Sequence, residues 1–287
     1  SANMPCPFCS NHCKRTVIAF SNGSSWITNN RCERGEILGN PKDEKVREKL
    51  KEKTQKLKEV PNLYQTRQEL LCRDYDHPKL MEENGITIGM PRVLSFWENA
   101  PFWTAFWKSL GFGVRFSDFS TRKIYENGLS AVTSDTVCFP AKLVHGHIRN
   151  LVKKDVDRIF MPVITTVPSE NLEDTSQSMC AVVKGYPLVI RNSDDPEGQW
   201  GIPFDAPMFH WYTEEDQKKQ LIKYMKETFS VPGKLTEKAV EAGKKAQKTF
   251  QKKLKEEGAA VLERVKKENR FAVVLASRPY QNDALVN

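Results

Sequence analysis

The 287-residue chain has no apolar run near the roughly 20 residues that a membrane-spanning helix needs. No apolar h-region opens it, so neither a membrane protein nor a secreted one is expected, and the compartment expected is the cytoplasm. A Gly-x-Gly-x-x-Gly turn and a phosphate-binding P-loop are also missing, which argues against nucleotide hydrolysis by these residues. The seven cysteines cannot all pair, and cytoplasmic thiols stay reduced, so a disulfide framework is not expected. Net positive charge is absent outside one segment. The formal net charge is +8, and residues 218–268 hold 15 Lys/Arg against 7 Asp/Glu while the rest of the chain balances. Those lysines surround the apolar stripe of a long helix and no aromatics interleave with them, so they read as a solvated face rather than a nucleic-acid reader. A milder use of the surplus is steering of acidic partners or CoA phosphates.

What the chain does have is sulfur in two places. Cys6, Cys9, Cys13 and Cys32 follow the spacing C-x2-C-x3-C-x18-C. Two thiolates two residues apart can ligate one ion from a tight turn, and a second ligand group across a hairpin closes a tetrahedron. Structural zinc is the first reading and an iron–sulfur cluster the second, with His12 a substitute donor and Lys14, Arg15, Arg31 and Arg34 offsetting the thiolate charge. A module this small lacks the burial to hold itself together, so metal binding would supply its folding free energy.

The fold expected is α/β: a doubly wound, mostly parallel Rossmann-like sheet preceded by a small cysteine-rich metal-binding β-ribbon. Residues 4–40 form the four-cysteine module, with an Asn22-Gly23 hairpin turn. Ser1-Ala2-Asn3 before Met4 reads as a cloning remnant and is set aside. Residues 41–84 are a charged helical linker, and residues 85–287 the Rossmann-like domain. Within it, strands are expected around residues 86–94, 112–117, 156–164, 187–192 and 270–280, separated by helices. A strand ending in Arg278-Pro279-Tyr280 with no helix after it suggests that a further Rossmann-like half has been left out. The aromatic group Phe96, Trp97, Phe102, Trp103, Phe106 and Trp107 reads as core or interface, and an exposed part of it would drive homodimer formation.

The second sulfur site lies in that domain. Cys138 stands just before Pro140, which suits a helix start, and Cys180 lies near the start of another helix. Unpaired N–H groups and the helix dipole favour thiolate at such positions. In a doubly wound sheet both helix starts face the crevice where ligands bind. Lys142, His145 and His147 follow on the Cys138 helix. Against this, an isolated cysteine is often a small buried hydrophobe and His145 could be a satisfied core histidine. Cys72 reads as an ordinary part-buried thiol.

Several stretches carry a resemblance: GMPRVLSFWENAPFWTAFWKSLGF (89–112), SDTVCFPAKLVHGHI (134–148), VDRIFMPVI (156–164), CAVVKGYP (180–187), NRCERG (30–35) and VVLASRPY (273–280). They resemble the domain of unknown function attached to acyl-CoA dehydratase activases, which is similar to the iron–sulfur subunits of 2-hydroxyacyl-CoA dehydratases and to double-cubane cluster proteins. The resemblance implies an iron–sulfur cluster held by Cys138 and Cys180 in the complete protein, with a third ligand from elsewhere because Cys72 lies in the wrong element. It implies ATP-dependent activase domains as partners, in the same full-length chain, which deliver single electrons at low potential. An acyl-CoA-type substrate follows, with Arg92, Lys142 and His145 as substrate or cluster-shell contacts. The alternative is a non-catalytic, zinc-stabilised scaffold that docks partner domains.

Overall fold

The computed structural model describes residues 1–9, 11–58, 60–168 and 177–286. The chain divides into two compact units, Ser1–Asn62 with Thr121–Lys123, and Leu63–Ser120 with Ile124–Asn287.

The first unit opens with an antiparallel ribbon of β1 (Ala2–Pro5), β2 (Lys14–Ala19) and β3 (Ser25–Thr28), in that order. The Asn22-Gly23 turn forms as expected, with Gly23 at φ +82° where a side chain would be strained. Residues 2 and 3, set aside on sequence, belong to the ribbon: Ala2 pairs with Val17 and Asn3 with Thr16. Arg15 is not a counter-charge at the surface. It is 3% exposed and donates to the carbonyls of Gly35 (2.6 Å) and Ile37 (2.5 Å), fastening the short turn Glu33–Glu36 to the ribbon. The charged stretch that follows is helical as read, in α1 (Glu44–Lys58).

The second unit runs α2 (Leu63–Leu71), β4 (Thr87–Met90), α3 (Phe96–Ser109), β5 (Gly113–Phe116), α4 (Arg122–Gly128), α5 (Phe139–Val152), β6 (Arg158–Phe160) and β7 (Val163–Thr166). Then come α6 (Ala181–Ser193), α7 (Pro196–Trp200), β8 (Phe204–Asp205), β9 (Met208–His210), α8 (Glu214–Phe229) and α9 (Gly233–Lys267). The main sheet is parallel with order β5-β4-β6-β8, and β7 pairs in parallel with β9. The path steps from β4 outward to β5, then back across to β6 and on to β8. That reversal puts the topological switch between β4 and β6.

Alternation along β6 shows why helices cover both faces. Phe160 joins the core under α3, α8 and α9, whereas Ile159 and Met161 join the core under α5 and α6. The aromatic group on α3 is core: Trp97, Phe106 and Trp107 are at most 1% exposed, and Trp107 meets Phe112, Phe160 and Phe229 edge-to-face at 5.1–5.5 Å. Arg158 and Asp205 clasp β6 to β8 through two 2.7 Å bonds.

Two expected strands do not form. Residues 187–192 lie inside α6, where the buried Val183, Tyr186, Pro187 and Ile190 recur at helical spacing. The β-branched run masked that period, and the Ser176 end of the helix expected there lies outside the described residues. Residues 271–278 join no strand among the described residues, and Phe271 is 88% and Val274 83% exposed. A strand apolar on both faces needs neighbours in a sheet, and it has none here.

Helix α5 approaches α4 through glycine. A Cβ on Gly146 would lie 2.0 Å from the Ile124 carbonyl oxygen. Gly146→Ala is therefore expected to cost about 1–3 kcal/mol of unfolding free energy, read as a lower urea midpoint; an unchanged midpoint would contradict this packing.

Candidate functional site

Cys138 and Cys180 are the N-cap residues of α5 and α6. Pro140 fits the first turn of α5 because that turn's amides need no helical acceptor. The Cys138 carbonyl accepts from the amides of Ala141 (3.0 Å) and Lys142 (3.3 Å), and the Cys180 carbonyl from that of Lys184 (3.0 Å). Neither helix has an acidic residue in its first turn, so nothing there offsets the positive end of the dipole. Both crossovers begin at the carboxyl ends of the parallel strands. The Cys180 thiol is held below the usual cysteine range, chiefly by the Val183 amide and further by that of Val182, Arg278 and Lys184, against the opposing effect of burial.

Tyr280 borders the core that α5 and α6 cover. It packs against the same core margin as Val137, Phe139, Met179 and Cys180. Burial raises its hydroxyl pKa, Cys180 and Cys138 push the same way, and Arg278 opposes them. Sequence reasoning missed Tyr280 and Arg278 because they sit in the stretch read as a strand.

A family model described as the CoA enzyme activase uncharacterised domain matches residues 87–287. The chain belongs to this family. No curated protein and no solved structure matches it. The matched region of this activase-family chain includes Cys138, Cys180 and Tyr280, whereas the four-cysteine ribbon precedes it.

The remaining candidates of the activase-family domain are engaged within the protein. Arg92 is half-buried. It donates to the Ser117 carbonyl (2.6 Å) and Cys72 Sγ (2.7 Å), and its guanidinium lies 4.1 Å from the Phe119 ring centre. Burial holds the Cys72 thiol pKa up, with Arg92 opposing. Lys142 Nζ donates to the Asp135 carbonyl (2.8 Å). His145 is fully buried between Asp194 (Nδ1–Oδ2, 2.5 Å) and the Tyr186 hydroxyl (Nε2–Oη, 2.9 Å). Burial, then Asp194 and Cys138, raise the Tyr186 hydroxyl to about 12.

His147 was noted only for its position, yet it centres a buried chain. Ser117 Oγ accepts from the Arg92 backbone amide (2.8 Å), leaving its proton for His147 Nδ1 (2.7 Å). Nε2 then carries the ring proton and donates to Ser120 Oγ (2.9 Å), which donates to Asp283. Burial lowers His147 to about 3, with Arg92 acting the same way and Asp118 opposing.

In the ribbon, the Cys6 amide donates to the Cys13 carbonyl (2.8 Å) and the His12 amide to the Cys9 carbonyl (3.4 Å). Because Pro5 pairs with Lys14 and Thr16 with Thr28, Cys6, Cys13 and Cys32 leave the ladder at one end. Among the described residues no three Cys, His, Asp or Glu side chains converge on one ion position. The backbone thus supplies a suitable donor order, but the side chains do not close around a common point.

The His147 shift has a sign. An unfolded histidine takes up a proton below its ordinary value near 6.5, whereas the folded one stays neutral to about 3. Stability contributed by neutral His147 is therefore present above 6.5 and lost as pH falls from 6.5 toward 3, at up to about 1.4 kcal/mol per pH unit. Burial raises the carboxyl of Asp283, a change that favours the folded state as pH falls. Comparing urea midpoints from pH 7 to 4, His147→Gln should show a shallower acid loss than the parent; equal slopes would contradict this account.

Proposed function

We propose that the chain is the electron-accepting component of an activase-driven system, in which Cys138 and Cys180 ligate an iron–sulfur cluster. The observation carrying this reading is that two cysteines cap helices joined to each other through His145, Asp194 and Tyr186, with no acid in either first turn. Two thiols are half the set of four that such clusters usually take, so the rest comes from outside the described residues. When bound, the cluster supplies one-electron transfer at low potential. The chain's own part is to hold thiolate at Cys180 through helix amides, to place cationic Arg278 and Lys184 nearby, and to brace the site from behind through His145 and Asp194. The partner is an ATP-dependent activase and the substrate class is acyl-CoA-like, as the family description supports.

The ribbon carries a second, structural reading. All four of its cysteines lie at one end of the ladder, an order suited to zinc once the side chains turn inward. A zinc-stabilised module of this kind would dock partner domains rather than react.

Anaerobic reconstitution with iron, sulfide and dithiothreitol tests the first reading. The chain should gain iron and visible charge-transfer absorption, and Cys138→Ser or Cys180→Ser should each remove both. No absorption in the parent, or no effect of either substitution, would sink it. For the ribbon, Cys32→Ser should abolish bound zinc by elemental analysis while leaving the visible absorption intact; equal zinc content in parent and variant would refute a metal there.

A further inference from the structure

Helix α9 outruns the core that it packs on. Its buried residues end at Phe250, and residues 251–267 add about 25 Å of helix beyond that point. The side of the helix that buries Val240, Gly243 and Phe250 continues outward as Leu254, Gly258, Val261 and Val265, at helical spacing. Leu254 still packs on the core, whereas Val261 and Val265 join neither core, and Leu262 beside them is 51% exposed. A Cβ on Gly258 would meet nothing within 4 Å. The apolar stretch after the helix does not cover this stripe, since Phe271 and Val274 are 88% and 83% exposed. An amphipathic helix draws most of its stability from packing that face, so a stripe of this length calls for a partner.

The order of residues along the stripe fits a second copy of itself. Leu254, Gly258, Val261 and Val265 are spaced four, three and four apart, which reads the same from either end. Along one border run Lys253, Glu257, Arg264 and Glu268, spaced four, seven and four. Their signs alternate from positive to negative, and reversing the helix exchanges every sign, so the border is its own charge complement. Two copies laid antiparallel therefore set Leu254 on Val265 and Gly258 on Val261, with Lys253 facing Glu268 and Glu257 facing Arg264. A two-fold axis makes each of these pairs twice. Arg264 bonds Glu268 along its own helix (2.8 Å), so the charges link into a network, the arrangement in which exposed ion pairs count. On the opposite border Gln251 meets Lys266 and the Lys255 stem covers Leu262, so no like charges meet.

We propose that the outer half of α9 is a homodimer interface, on which two copies of this chain pair antiparallel in that register. The aromatic group of α3 is buried and is not the surface. Dimerisation through α9 needs neither a bound metal nor the Cys138 and Cys180 thiols.

Sedimentation equilibrium at loading concentrations from micromolar to millimolar reads the association directly. The parent should dimerise, and Val261→Asp, which lies outside both cores, should stay monomeric with native circular dichroism. Glu257→Lys and Arg264→Glu should each weaken the dimer about tenfold, because two attractive pairs per dimer become repulsive. The double variant carrying both changes should regain the parent's affinity. A zero-length carbodiimide cross-linker reads the orientation. Lys253 and Glu268 stand about 22 Å apart along one helix, too far to join within a chain, so mixed isotope-labelled and unlabelled protein should give a Lys253–Glu268 link of hybrid mass. A monomer at every concentration would overturn the interface, as would a dimer indifferent to Val261→Asp. A double variant no tighter than the single ones, or hybrid links that join Lys253 to Glu257 instead, would overturn the antiparallel register.

Discussion

The hydrogen-bonded set of Asp194, His145 and Tyr186 joins α5 to α6, and the placement of the two thiols depends on it. Asp194 closes the far end of α6, Tyr186 lies within that helix, and His145 sits two turns into α5; all three are at most 4% exposed. With no water to substitute, each member is committed to the others, because an unpaired buried polar group costs far more than its bond contributes. The helices are thereby locked in both separation and rotation, and rotation decides where an N-cap side chain emerges. Gly146, next in sequence to His145, lets α4 press against the same turn of α5. His145 thus braces α5 against α6 from within the core.

Around this brace the aromatic core does different work. Trp103, Trp107, Phe106 and Phe160 fill the opposite face of the sheet, where area and shape matter and direction does not. The α5–α6 face has fewer large rings and more directed bonds. One face of the sheet contributes bulk stability and the other sets geometry.

Much of this was legible in the residues, and the failures are informative. The spacing of Cys138 and Pro140 identified a helix start, and residues 156–164 were legible as a strand, though Pro162 divides it into β6 and β7. These are local signals. Residues 187–192 misled because a β-branched run can be helical when its neighbours supply the period, and Pro187 inside α6 strengthened the error. Asn282 and Asp283 were invisible as buried anchors for a different reason. Their partners Ser120, Gln68 and Tyr64 lie some 160 to 220 positions away, and nothing in single-sequence spacing encodes such a meeting. His147 was seen but not understood, since its role comes from Ser117, Ser120 and Arg92 converging from separate loops.

The open stretch between α9 and the turn held by Asn282 and Asp283 has a bearing on how the molecule behaves in crowded solution. Phe271, Val273, Val274 and Leu275 form a short run of high β-propensity with unpaired backbone, the composition that seeds cross-β stacking. Arg270 and Arg278 bracket it, one at each end. Charges at both flanks oppose in-register self-stacking, because like charges would pile up along the fibril. Arg270 and Arg278 therefore act as gatekeepers for colloidal solubility, and replacing either with a neutral residue would remove one end of that protection.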